Sequence, residues 1–357
     1  MAKYMPINEV YDLIKTVFAK LGVPEDEARI CADILITSDL SGIESHGIGR
    51  LKMYYDRIKA GIQNPINNIG IISDKAATAV WDGNHGMGQV IGHRAMQKAI
   101  EKARSYGIGT VAVRNSTHYG ICGYYARMAV DQDMIGITFS NARPSIAPLF
   151  GVTPLLGTNP ICFGAPSDLE YPFLYDAATS ITQRGKIEAY AREDKETPEG
   201  LAIDNEGKPH TDTMQLLKDL TDGTASLLPI GGDNETTGGH KGYGLAAMVE
   251  ILCSALQNGS YMDQLTGSEN DKPTPYKLGH FFMAINISFF IEPSVFKQIV
   301  GDIMRKLHAS QKISGQEKIY VAGEKEYLNE KRVRKDGVYI TDKLEQNIEF
   351  MKRELKI

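Results

Sequence analysis

The sequence predicts an α/β protein, a sheet covered by helices and preceded by an all-helical N-terminal segment. Three observations predict it. The first 60 residues carry three amphipathic helical patterns, strand-like and helix-like stretches alternate from residue 76, and a glycine-rich loop joins one such strand to the helix after it.

Val10, Leu13, Ile14, Val17, Phe18 and Leu21 recur at i, i+3, i+4, i+7, i+8 and i+11, one apolar stripe on a helix ended by Gly22. Pro24 opens a second helix, through Ile30, Ile34 and Leu35 to about Leu40. The stretch Ser41-Gly-Ile-Glu-Ser-His-Gly-Ile-Gly-Arg50 breaks it with three glycines, and a third pattern runs through Leu51, Tyr54, Tyr55 and Ile58 to Gly61. Thr78 to Trp81 reads as a strand, 93–105 as a helix closed by Gly107, Ile108 to Val113 as a strand, 121–131 as a helix and Met134 to Ser140 as a strand. Short apolar runs at 160–164 and 173–177, a polar stretch at 192–212 and a helix from about 241 to 257 follow. The largely apolar run Phe281 to Phe290 reads as a buried strand, and Pro293 starts a helix through Phe296, Ile299, Ile303 and Leu307. The charged tail after about 323 ends in a helical pattern through Leu344, Ile348 and Met351.

At 357 residues the chain has room for two or three domains of about 150 residues each. Its 39 Lys and Arg against 44 Asp and Glu leave a net charge of -5, so no positive field exists to hold nucleic acid or an anionic membrane. Cys31, Cys122, Cys162 and Cys253 lie far apart without C-x-x-C spacing, which reads as free thiols in a reducing compartment and implies no metal site. The N-terminus has no apolar signal core and no run approaches the roughly 18–20 apolar residues of a membrane span, so a soluble cytoplasmic protein is expected.

The loop Gly83-Asn-His-Gly-Met-Gly-Gln-Val-Ile-Gly92 stands where a dinucleotide-binding loop would, but its third glycine comes one residue late and no acidic residue ends the next strand. A tight turn with close backbone packing accounts for it. In Ser45-His46-Gly47 with Arg50, an imidazole and a guanidinium four positions apart can face one ligand, as a proton exchanger and a two-pronged carboxylate donor. A helix cap and a surface ion pair would use the same residues. Asn115-Ser-Thr-His118-Tyr-Gly120 follows a strand at the end where open α/β sheets bind ligands, so His118 is either a general acid–base or a helix cap. Gly157-Thr-Asn-Pro160, Asp176-Ala-Ala-Thr-Ser180 and Gly238-Gly-His-Lys-Gly-Tyr-Gly244 are joints whose backbone N–H groups suit phosphate or carboxamide oxygens, with Lys241 adding a cation; ordinary turn chemistry also explains them.

Taken in order, Ser45-His-Gly-x-x-Arg50, Asn115-Ser-x-His-Tyr-Gly120, Gly157-Thr-Asn-Pro, Asp176-x-Ala-Thr-Ser180, Gly185-Lys-Ile187, Leu228-Pro-Ile-Gly-Gly232 and Gly239-His-Lys-Gly-Tyr-Gly-Leu245 resemble the type 2 malate/L-lactate dehydrogenase family over roughly residues 8–325. The resemblance implies a homodimeric, sulfolactate-dehydrogenase-like α/β fold distinct from the Rossmann fold, binding NAD or NADP. It assigns proton transfer to His118, the substrate site to His46 and Arg50, and the substrate oxygen or a cofactor phosphate to Lys241. Cofactor contacts fall at Ser140, Asn141 and Ala142, at Asp176, Ala177 and Ala178, and at His240 and Gly242. The implied division is 1–70 with about 280–330 as substrate and dimerisation domain, 71–279 as cofactor domain and 331–357 as a peripheral extension. The activity expected is that of a 2-hydroxyacid dehydrogenase. Arg143, an extra cation, suits either a second substrate carboxylate or a cofactor phosphate; the first use favours malate over L-lactate, another 2-oxo acid, a cyclic imino acid or a diketo sugar. A nucleotide-binding protein without turnover is the alternative of a different class.

Overall fold

The computed structural model describes residues 3–269 and 272–357. Strand β1 (Lys3–Met5) leads into α1 (Ile7–Lys20) and α2 (Glu25–Leu40), which pack on each other and, with α3 (Leu51–Lys59), form one layer. Its core is the stripe read from the sequence, Val10, Ile14, Val17 and Phe18, joined by Leu35, Leu51 and Tyr54, all fully buried. Burying each such side chain contributes roughly 1.5–3 kcal/mol, so the layer is a firm support for the glycine-broken stretch between α2 and α3.

The chain then lays down β2 (Gly70–Lys75), β3 (Thr78–Asp82), α4 (Gly88–Tyr106), β4 (Ile108–Ser116), α5 (Cys122–Val130), β5 (Met134–Ser140), β6 (Ile161–Ala165) and β7 (Phe173–Ala177). Next, α6 (Arg184–Arg192), β8 (Ala202–Asp204), α7 (Thr213–Asp222), β9 (Ala225–Leu227) and α8 (Gly239–Leu252) enclose a small core around Ile187, Leu216, Leu227 and Ala246. The short pair β10 (Ser268–Glu269) and β11 (Lys272–Pro273) precedes β12 (Leu278–Asn286), and α9 (Pro293–His308), α10 (Glu324–Asp336), β13 (Val338–Ile340) and α11 (Asp342–Leu355) complete the chain.

The main sheet has the order β2-β3-β4-β12-β5-β6-β7. β3 and β4 are parallel, while β12 lies antiparallel between β4 and β5, so β4 and β5 share a direction; β7 shares it through antiparallel β6. This mixed order is α/β without the Rossmann arrangement. One end of the sheet therefore collects the exits of β3, β4, β5 and β7 and the entries of β12 and β6, and loops at such an end can converge on a ligand.

Several expectations change. The apolar run from Phe281 is strand only to Asn286, where the Asn286 side chain accepts the Ser288 N–H at 3.2 Å and turns the chain, leaving Phe289 and Phe290 exposed. Helix α4 starts five residues before the expected 93, because the Gly88 N–H finds a partner in Thr117 and the helix can begin inside the glycine loop. The division at 279 falls within β12, the strand at the centre of the sheet, and the one at 331 falls within α10. Residues 331–357 are also less peripheral than expected: Val333, Val338, Ile340, Ile348 and Met351 are buried in the same core as α1 to α3, and β13 pairs with β1. Among the described residues no helix is long and apolar enough to cross a membrane.

Candidate active site

Between α2 and α3 the chain turns sharply and enters a short 3-10 turn at Ile48–Arg50. Asp39, near the end of α2 and only 4% exposed, accepts the Ile48 N–H at 2.8 Å. A Cβ on Gly47 would overlap that carboxylate, so the close approach demands glycine. Burial pushes the Asp39 carboxyl up to about 7, against the pull of the Ile48 N–H. Held this way, the loop presents His46, whose Nδ1 lies 2.9 Å from Ser45 Oγ, and Arg50, whose Nε donates to the Ser45 carbonyl at 2.5 Å. The terminal nitrogens of Arg50 have no protein partner among the described residues and can take a carboxylate in two-pronged fashion.

His118 sits in the turn after β4. Thr117 Oγ1 accepts the Gly88 N–H at 2.9 Å and donates to the Gly86 carbonyl at 2.8 Å, and a Cβ on Gly88 would overlap the Thr117 and His118 carbonyls. The glycine loop is thus the packing surface under the His118 turn, as the failed dinucleotide spacing implied. From the other side, fully buried His280 on β12 places Nε2 3.2 Å from the Thr117 carbonyl and Nδ1 2.9 Å from Ser140 Oγ, its ring stacked on Tyr119 at 4.3 Å.

The two halves meet at Tyr54 of α3, whose hydroxyl lies 2.6 Å from His118 Nδ1, while the His46 and His118 rings stack at 5.4 Å and 23°. Burial first, then His46, Arg57 and Arg50, hold His118 well below the ordinary histidine range. Burial and the Arg50 charge bring His46 down to about 4. Both rings are neutral at pH 7, the form that can accept a proton. Gly185, at the start of α6, packs beside Ser45 and brings that segment to the same place.

The expected cofactor positions line the same end of the sheet. The side chains of Ser140 and Asn141 are engaged within the protein: Ser140 with His280 and the Asn141 carbonyl, Asn141 with the Gly279 N–H at 2.7 Å. Ala142 donates its N–H to Asn159 Oδ1 at 3.2 Å. Asp176, at the end of β7, accepts the Gly123 N–H at 2.6 Å where α5 begins; burial raises its carboxyl to about 6 against that bond. It lines a cavity of about 330 Å³ with Ile43, Gly123, Tyr124 and Leu174, and Ala177 and Ala178 follow it half-buried. His240 and Lys241 are exposed in the first turn of α8, while Gly242 is buried against the Ile230 carbonyl. No side chain caps that turn, and Lys241 has no carboxylate partner among the described residues, so this terminus suits an anion such as a dinucleotide phosphate.

The structure therefore joins His46, Arg50 and His118 in one group, and no hydrogen bond or ion pair among the described residues links Lys241 to it. Tyr54, Asp39 and His280 were not foreseen. Tyr54 alone left a signal, its place four residues after Arg50 on the same helical face. Arg143 is exposed, donates to the Thr221 carbonyl at 3.1 Å and lines a second cavity together with Arg57. Among the described residues no three His, Cys, Asp or Glu side chains are grouped to hold a metal ion.

Comparison with known proteins agrees with this geometry. Residues 5–349 match the family model described as malate/L-lactate dehydrogenase. The chain is 45% identical over 340 residues to the malate dehydrogenase of Pyrococcus abyssi, covering 95% of this chain and 91% of that one. It is 41% identical over 350 residues to the L-sulfolactate dehydrogenase of Methanocaldococcus jannaschii, covering 98% and 96%. The crystal structure of malate dehydrogenase from Entamoeba histolytica superposes with a TM-score of 0.97 at 42% identity, covering 100% of this chain and 99% of that one. With the family model spanning nearly the whole chain and the His46, Arg50 and His118 motifs drawn into one site, this protein belongs to the malate/L-lactate dehydrogenase family.

Proposed function

We propose that this oxidoreductase is an NAD- or NADP-dependent malate dehydrogenase that interconverts malate and oxaloacetate, with His118 as acid–base. The observation that carries it is the Tyr54–His118 pair, set beside an Arg50 whose terminal nitrogens have no partner among the described residues. A bound nicotinamide would exchange the hydride at C2. Arg50 holds the C1 carboxylate and fixes the orientation of C2. In oxidation His118 Nε2 takes the hydroxyl proton, and its Nδ1–H donates to the Tyr54 oxygen, stabilising the imidazolium; in reduction the same proton returns to the carbonyl oxygen. Held below the ordinary histidine range, free His118 is unprotonated at neutral pH, the form the base role requires. Burial is the main cause of that depression and Arg50 a smaller one; a bound substrate carboxylate offsets the Arg50 share and so helps His118 keep the proton that reduction needs.

Lys241, His240 and Gly242 at the start of α8 would hold cofactor phosphate, a role that the uncapped first turn of α8 favours over polarising the substrate oxygen. Because the Ser140 and Asn141 side chains are engaged, contacts from 140–142 would come from the backbone. The 1–70 and α9 region serves dimerisation in this reading. Val295, Ile299, Ile303 and Leu307 on one stripe of α9 are between 41% and 53% exposed, and a second subunit would bury them. The four buried free cysteines suit the reducing cytoplasm.

The test follows NADH and NADPH oxidation with oxaloacetate, pyruvate, a cyclic imine and 2,3-diketogulonate, for the wild type and His118→Ala. Oxaloacetate is expected to turn over fastest, and His118→Ala to lose about 10²–10⁴-fold. Equal or faster turnover of the other substrates would overturn the malate assignment. Cofactor binding without any turnover would leave a nucleotide-binding protein.

A further inference from the structure

The second cavity, of about 620 Å³, opens beside α3 and is lined by Met53, Arg57, Arg143, Thr266 and Tyr276 among others. Arg57 follows Tyr54 by three residues, one turn along the same face, and Tyr54 is the side chain that touches His118. Its guanidinium lies 4.3 Å from the centre of the Tyr276 ring, a stacking that limits the plane in which its donors can point. Neither Arg57 nor Arg143 has a carboxylate within ion-pair distance among the described residues. Asp56, in the same wall, is paired with Lys52 at 2.6 Å. Two guanidiniums facing one cavity repel each other, and half-buried Arg57 gives up hydration without a compensating charge among the described residues. An anion entering the cavity relieves both costs. Arg143 is exposed and already directed to the Thr221 carbonyl, so water screens its share of the attraction and Arg57 carries the larger part.

Resting on the dehydrogenase reading above, we propose that Arg57, assisted by Arg143, binds the second anionic group of the substrate, a carboxylate or sulfonate carried on the third carbon, and separates dianionic from monocarboxylic 2-oxo acids. Pyruvate and oxaloacetate share the carbonyl and first carboxylate and differ only in that second group, so they isolate the effect. For Arg57→Gln, kcat/KM with oxaloacetate and 3-sulfopyruvate is expected to fall about 30-fold relative to pyruvate, mainly through KM; any change in His118 from losing the Arg57 charge acts on all three substrates and cancels in that ratio. Arg57→Lys, which keeps the charge and loses the fork, should recover part of the loss. Equal losses on pyruvate and oxaloacetate would overturn the proposal. So would a raised KM for NADH or NADPH with an unchanged substrate ratio, since that would put a cofactor phosphate on Arg57. In parallel, calorimetric titration with NADH present, where neither ligand can react, compares L-malate with L-lactate, which differ only in the carboxylate on the third carbon. Weakened L-malate binding with unaltered L-lactate binding in Arg57→Gln supports the proposal, and equal weakening refutes it. Because it reads binding, this titration judges Arg57 even if the wild type reduces neither 2-oxo acid, a result that would defeat the dehydrogenase reading alone.

Discussion

Replacing Tyr54 by phenylalanine removes one oxygen from the centre of the site. The ring is fully buried, 5.8 Å from the Phe18 ring and 5.8 Å from the His118 ring, and phenylalanine preserves both contacts. What disappears is the 2.6 Å hydrogen bond to His118 Nδ1. While His118 is neutral such a bond contributes about 1 kcal/mol; once Nε2 has taken a proton the bond becomes charge-assisted and contributes about 1.5–3 kcal/mol. The difference, about 0.5–2 kcal/mol, is what the transition state loses, so malate oxidation is expected to lose about 2- to 30-fold in kcat, with KM nearly unchanged because the lost bond is to His118 and not to substrate. Folding stability should fall by only about 1 kcal/mol. The pH dependence has a definite sign. Without the Tyr54 oxygen the imidazolium is less stable, so the His118 pKa, already depressed, falls further and the acidic limb of malate oxidation moves to lower pH. In reduction, where His118 must carry the proton, the loss should grow as pH rises. Steady-state rates from pH 5 to 9 in both directions, with thermal melting as a control, measure all of this. A kcat within twofold of wild type with an unmoved pH profile, or a rise in KM at constant kcat, would refute the argument that Tyr54 supports His118.

Asp39 makes stability itself pH-dependent. Its native carboxyl is raised to about 7 by burial, whereas an unfolded aspartate titrates near about 3.9, so native stability should fall as pH rises through that window, by on the order of 2–4 kcal/mol. Asp39→Asn keeps an acceptor for the Ile48 N–H and is expected to melt above wild type at pH 8 and level with it at pH 4; an equal difference at both pH values would show that the charge is irrelevant. Gly88→Ala drives a methyl group into the Thr117 and His118 carbonyls, and is expected to cost about 1–3 kcal/mol of stability and to lower kcat more than NADH affinity. Loss of NADH binding with kcat preserved in His118→Ala would instead make 83–92 the dinucleotide loop.

Periodicity sufficed for the N-terminal helices, because the stripe Val10, Ile14, Val17 and Phe18 is a local property of one segment and the same residues are buried in the structure. Local chemistry made His46, Arg50 and His118 candidates alongside helix-cap and ion-pair uses, the order of motifs along the chain chose between these readings, and the spacing of 83–92 argued against a dinucleotide loop. Only the tertiary structure decided what surrounds them. His280 reaches the Thr117 carbonyl across 163 residues of chain because β12 inserts between β4 and β5, a pairing for which no short-range pattern exists. Tyr54 and Arg57 read as one apolar and one charged helix position until α3 is laid against the β4 turn, and Asp39 looks like an ordinary helix-end acid until the Ile48 backbone closes over it. A sequence specifies residue types and local repeat; which carboxylate loses its water, and which hydroxyl meets which imidazole, depends on contacts that only the folded chain creates.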